Sequence, residues 1–209
     1  MDDDKRAELL MEHYNDTFEH ILSHWKMRNR LFGLILALLT MLALDWAQPG
    51  SLARVANAWI VKTLAGQNGN VPVLDFSVVG TLAWFILLCI VIQYYQRSIH
   101  VDRQYNYISD IEDKLCAMMG GEFVTREGKS YSSAKGVYKS DKEKRPLYLR
   151  AVGPLYVYVF PVVMTLFVGF GLFRAGWHPD QITFWLNLVF GAAIVFYNMI
   201  YLLWVARRT

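Results

Sequence analysis

Four long stretches without a charged side chain constrain this chain most: 31–44, 76–96, 151–173 and 181–206. The last three hold 21, 23 and 26 residues. At 1.5 Å of rise per residue each can cross the ~30 Å hydrocarbon layer of a bilayer, the longest by tilting or projecting. The first stretch is short, and it spans if Arg30 snorkels at one end while Asp45 and Trp46 sit in the opposite interface. The apolar residues are bunched rather than spaced along one face, which implies lipid instead of a water-soluble core. Composition agrees: 55% of the residues are hydrophobic and 19% charged, where a soluble domain carries about a quarter charged.

The cations orient the spans. Lys5, Arg6, Lys26, Arg28 and Arg30 precede the first, eleven Lys and Arg lie in 97–150, and Arg207 and Arg208 close the chain. Only Arg54, Lys62 and Arg174 fall on the other side. Four spans thus divide the cations eighteen to three, and the positive-inside rule puts the eighteen, with both termini, in the cytoplasm of a cell inner membrane. Tryptophans 46, 59, 177 and 185 then mark the outer interface. Trp25, Tyr94, Tyr95, Tyr148 and Trp204 mark the inner one. No cleavable signal peptide is expected. Cys89 and Cys116 are 27 residues apart on one expected helix, a rise of roughly 40 Å that prevents an intrachain disulfide.

The expected fold is an all-α integral membrane protein with four transmembrane helices, an amphipathic N-terminal helix, and a cytoplasmic helical extension with a small β-hairpin. It divides into a cytoplasmic helix (1–30), a first transmembrane pair (31–96, with an outer loop at 47–74), a cytoplasmic insert (97–150) and a second pair (151–209). Leu10, Tyr14, Phe18, Ile21 or Leu22, Trp25 and Phe32 recur at helical spacing in the first segment. The second span meets no breaker until Gly120-Gly121, so its helix runs on into the insert. Residues 122–131 read as a hairpin turning at Glu127-Gly128-Lys129. A short interfacial helix is expected near 51–65, with Leu52, Val55, Ala56, Trp59 and Thr63 on one face. Pro161 is expected to bend the third span.

Several constellations admit a functional and a plain reading. Asn187, Gly191, Ile194, Asn198 and Tyr201 share one stripe of the fourth span. They either line an aqueous path in an oligomer or join helices by packing and hydrogen bonds. Gly33, Ala37 and Thr40 form a small-residue stripe suited to close packing. Arg126, Lys129, Tyr131, Lys135, Tyr138 and Lys139 interleave cations with rings. That pattern suits a nucleotide or short oligonucleotide, and equally attraction to anionic lipid. His13, His20 and His24 share a helical face without the HExxH pattern, and a metal site, a pH-sensitive face and a plain polar edge stay open. His178-Pro179-Asp180 matches the tripeptide of co-chaperone J domains, but a turn with Asp180 capping the fourth span suits its position. No charged residue lies deep in a span, which speaks against an ion-coupled transporter. No nucleophile elbow, metal motif or P-loop is present, so neither an enzyme nor a cofactor is expected.

The order of parts, together with Tyr107-Ile108-x-x-Ile111-Glu112 and Arg126-Glu127-Gly128-Lys129-x-Tyr131, resembles the small four-span membrane effectors of prokaryotic anti-phage systems, of the Hailong and Kiwa types. The resemblance covers most of the chain and implies a homo-oligomer, a tetramer foremost, acting as a gated pore or membrane-perturbing channel. A nucleotide or oligonucleotide signal or a cytoplasmic protein would control it. The alternative is a non-conducting scaffold or sensor that recruits a cytoplasmic partner.

Overall fold

The computed structural model describes residues 3–64, 76–120, 154–174, 178 and 180–207. These are almost wholly helical, with no strand among the described residues. The hairpin expected at 122–131 lies outside them. The long elements are α1 (Asp3–Ala47), α2 (Ser51–Leu64), α3 (Phe76–Met119), α4 (Phe160–Arg174) and α5 (Ile182–Ala206). Four helices are long and apolar enough to cross a membrane: Lys5–Ala47, Val78–Met119, Leu155–Arg174 and Ile182–Ala206. The chain divides into two compact units, one of residues 1–30 and 94–154 and one of 31–93 and 155–208. Both α1 and α3 contribute to each.

In the first unit the two helices run antiparallel, since late residues of α1 meet early residues of α3. His13 meets the Tyr107 hydroxyl at 2.7 Å, and Arg97 meets His24 at 2.7 Å. Tyr14 and Ile21 of α1 pack with Val101, Ile108, Ile111 and Leu115 of α3. Tyr94, Val101, Ile108 and Leu115, all buried, recur every seven residues. This repeat keeps one seam facing a partner helix when helices cross at a shallow angle. Of the N-terminal stripe expected from the sequence, Tyr14 and Ile21 are buried and Leu10 and Phe18 partly so, whereas Trp25 lies off the seam. Trp25 is 46% exposed, with the Arg28 guanidinium 5.7 Å from its ring centroid. A ring four residues past Ile21 overshoots a seam that recurs every 3.5 residues. Gly120, at φ +70°, ends α3 in the left-handed region that glycine adopts without a Cβ penalty.

The second unit has the same seam spacing. Trp84, Leu87 and Val91 are buried on α3; Met164, Val168 and Gly171 on α4; Gly191, Ile194, Asn198 and Tyr201 on α5. Gly191 brings α5 onto α4: a Cβ there would lie 2.9 Å from Leu172 and 3.2 Å from Val168. A wider π-helical turn, Leu155–Val159, precedes α4. It sits just before Pro161, which has no N–H for the preceding turn, so the irregularity at this proline is a widened turn. The N-cap of α5 is Gln181, without a side-chain cap. Asp180 is therefore not the cap. Instead the Gln181 N–H donates to the His178 carbonyl at 3.1 Å, and the Gln181 carbonyl accepts from Phe184 at 3.1 Å.

Candidate functional site

The α5 stripe faces its own bundle. Asn198 is fully buried, and its amide donates to the Pro161 carbonyl at 3.2 Å and the Thr165 hydroxyl at 3.0 Å. An amide in hydrocarbon needs such partners, and here they come from the neighbouring helix of the same chain. Gly191, Ile194 and Tyr201 are buried beside it. Asn187 stands apart: its Oδ1 is sealed from solvent and has no hydrogen-bond partner among the described residues. The small-residue stripe of the first span behaves in the opposite way. Gly33, Ala37 and Thr40 are exposed, and a Cβ on Gly33 would meet nothing within 4 Å. This stripe is therefore not part of the buried core of the described chain.

Of the three histidines on α1, His20 is exposed, His13 meets Tyr107, and His24 lies edge-on to His100 with ring centroids 4.5 Å apart. Arg97 must donate its N–H to His24 Nδ1, because a guanidinium has no acceptor. His24, outside the apolar run 31–44, is therefore neutral, with its proton on Nε2. Burial holds its pKa below the ordinary 6.5, and His100, Arg97 and His20 add to that. No group of three or more metal-binding side chains occurs among the described residues. Nearby, the Tyr14 hydroxyl donates at 3.2 Å to the carboxylate of Glu112, which is fully buried. The basic set Arg126, Lys129, Tyr131, Lys135 and Lys139 lies outside the described residues.

One cleft of about 280 Å³ opens in the second unit, where α1 and α4 end and α3 and α5 begin. Its walls include Asp45, Trp46, Trp84, Gly171, Arg174 and Asn187. The geometry depends on Gly171, since any Cβ there would overlap the Trp46 ring and come within 3.1 Å of Trp84. Trp46 is thereby laid on α4, stacked on Phe167 at 4.3 Å. Arg174 donates to the Trp46 carbonyl at 2.6 Å, and Ser51 donates to the Asp45 carboxylate at 3.4 Å. Both charged groups are thus oriented by neighbours. Sequence reasoning groups Asn187 with the α5 stripe and does not foresee the cleft that it lines. It reads Asp45 and Trp46 only as the end of a span, and Arg174 only as a turn cation. The signal that points to the cleft is a pair of opposite charges, Asp45 and Arg174, at two span ends that must share one level of the membrane.

Comparison with protein-family models, curated proteins and solved structures finds no match.

Proposed function

We propose that the protein is a homo-oligomeric membrane effector that receives a signal in its polar first unit and answers by permeabilising the bilayer. The observation that carries this reading is the continuity of α1 and α3, each unbroken over 45 and 44 residues. Each supplies both a membrane-competent stretch and one side of the polar helix pair. A helix transmits rotation or displacement along its length, whereas a hinge would absorb it. The exposed Gly33-Ala37-Thr40 stripe supports self-association, because small residues let helices of separate subunits approach closely in lipid. The eighteen-to-three division of cations supports an inner-membrane location with the polar unit and both termini in the cytoplasm. There Arg126, Lys129, Tyr131, Lys135 and Lys139 would meet a nucleotide, an oligonucleotide or an acidic partner. Anti-phage defence, and a tetramer as the first subunit number to test, rest on the architectural resemblance.

The α5 stripe is not the pore lining in this reading, because Asn198 is used inside its own bundle; the conducting path lies between subunits. The decisive measurement is dye release from liposomes holding the full chain, alongside its assembled size. Gly33→Leu with Ala37→Leu should abolish assembly and release together. Intact assemblies that release nothing at any protein density would end the pore reading.

A second reading, the non-conducting scaffold or sensor, is favoured by one observation. With Gly191, Ile194, Asn198 and Tyr201 turned inward, the outer face of α5 is apolar, carrying Ile182, Val189, Phe196 and Leu203. Assembly without release, combined with specific co-purification of a cytoplasmic protein, is the outcome it requires.

A further inference from the structure

We propose that the cleft at the Asp45–Arg174 end of the second unit binds the zwitterionic head group of a phospholipid. The ammonium sits between the Asp45 carboxylate and the tryptophan rings, and the phosphate sits on the Arg174 guanidinium. This goes beyond the effector reading and is independent of whether the protein conducts.

Size, chemistry and level all point the same way. At about 280 Å³ the cleft falls just under the roughly 300 Å³ lower end of sites for drug-sized ligands, so it suits a head group. Its lining combines one anion, one cation and two indoles, Trp46 and Trp84. An ammonium gains from a carboxylate and from the negative face of an indole together, and tryptophan is the strongest such ring. A guanidinium presents five N–H groups. Arg174 uses one on the Trp46 carbonyl, an anchor that keeps the guanidinium at the cleft wall, and further donors stay available to phosphate oxygens. The Ser51 hydroxyl orients the Asp45 carboxylate at the cleft wall.

Asn187 supplies an independent sign. Its Oδ1 has no donor among the described residues although it is buried, and the residue lines this cleft. A small rotation of the amide would offer that acceptor to an ammonium N–H, leaving no orphan polar atom in low-dielectric surroundings. The level is that of lipid head groups, because Asp45 and Trp46 directly follow the uncharged run 31–44 and Leu42 and Leu172 continue the wall toward the apolar side.

The test uses the full chain, stripped of lipid in detergent and titrated with three probes: short-chain phosphatidylethanolamine, short-chain phosphatidylglycerol and free phosphoethanolamine. Native mass spectrometry counts what is bound. Phosphatidylethanolamine should bind about tenfold more tightly than phosphatidylglycerol, the equivalent of one charge-assisted contact. Asp45→Asn should remove that preference while leaving phosphatidylglycerol binding unchanged, which also shows that the variant is folded. Arg174→Gln should weaken both lipids. Equal affinity for the two lipids in the unaltered protein would overturn the assignment. So would free phosphoethanolamine binding as tightly as the lipid, since the ligand would then be a soluble zwitterion.

Discussion

The two units share a buried pattern and differ in what surrounds it. In both, buried positions recur at alternating steps of three and four, as on Ile108, Ile111 and Leu115 or on Gly191, Ile194, Asn198 and Tyr201. Outside that seam the first unit exposes Glu8, Glu12, Asp16, Glu19, Arg103, Asp110, Asp113 and Lys114. The second exposes Phe173 at 85%, Ile182 at 75% and Phe196 at 62%. Seam spacing thus specifies how helices pack, and the exterior specifies the solvent. The interiors also differ. The first unit buries a carboxylate, Glu112, whereas Asn198 and Thr81 are the buried polar groups of the second among the described residues.

The largest expected effect tests that exterior contrast. Phe196→Lys places an ammonium on the outer face of α5 and should cost about 2.5–3.5 kcal/mol of insertion free energy. Leu9→Lys, at a residue equally apolar and 50% exposed in the first unit, should change stability by less than about 0.5 kcal/mol. Membrane-insertion efficiency and thermal unfolding in detergent measure the pair. Equal tolerance of both lysines would erase the distinction between the units.

A smaller effect is expected from Asn198→Leu, which removes the amide bonds to Pro161 and Thr165. Polar contacts between membrane helices contribute about 0.6 kcal/mol on average and up to about 1.7. Unfolding of the variant should therefore shift modestly, with assembly and liposome release unchanged. A full loss of release from a folded Asn198→Leu protein would restore the aqueous-path reading.

The smallest effect is electrostatic and belongs to the first unit. His24 is held neutral by burial and by His100 and Arg97 on α3 and His20 on its own helix. As pH falls through the ordinary value of 6.5, the unfolded chain takes up a proton that the folded one resists. Stability of the helix pair is thus lost as the medium acidifies, and the loss levels off below the lowered folded value. Exchange protection of the amides from Tyr14 to Ile21, taken relative to the intrinsic rate at each pH, should fall on acidification, and His24→Gln should remove that part of the dependence. Identical profiles would show that the histidine is a bystander.

The spans are legible because a run of bilayer length without a single charge is rare in a chain that folds in water. The end of α3 is legible because glycine marks it. The polar contacts are not. Asn187 and Asn198 lie on one stripe in a helical projection, yet one is satisfied by α4 and the other lines a cleft. A projection fixes angle around one helix and says nothing of the neighbour's hydroxyls. The cleft is hidden for a related reason: Asp45, Arg174 and Asn187 are remote in sequence and meet only when span ends align. Trp25 is misplaced because a 3.6-residue projection drifts away from a seam that repeats every 3.5.

The π-turn before Pro161 has a consequence for any engineered length change. One extra residue in a helical turn advances the chain by about 100° relative to an uninterrupted helix. Across Leu155–Val159, Tyr156 and Phe160 both reach Phe32, with ring centroids 4.9 and 5.0 Å away. Excising a single residue from this turn would convert it to ordinary α-helix and turn Tyr156 about the helix axis relative to Phe160, changing the angle at which the two rings clasp Phe32.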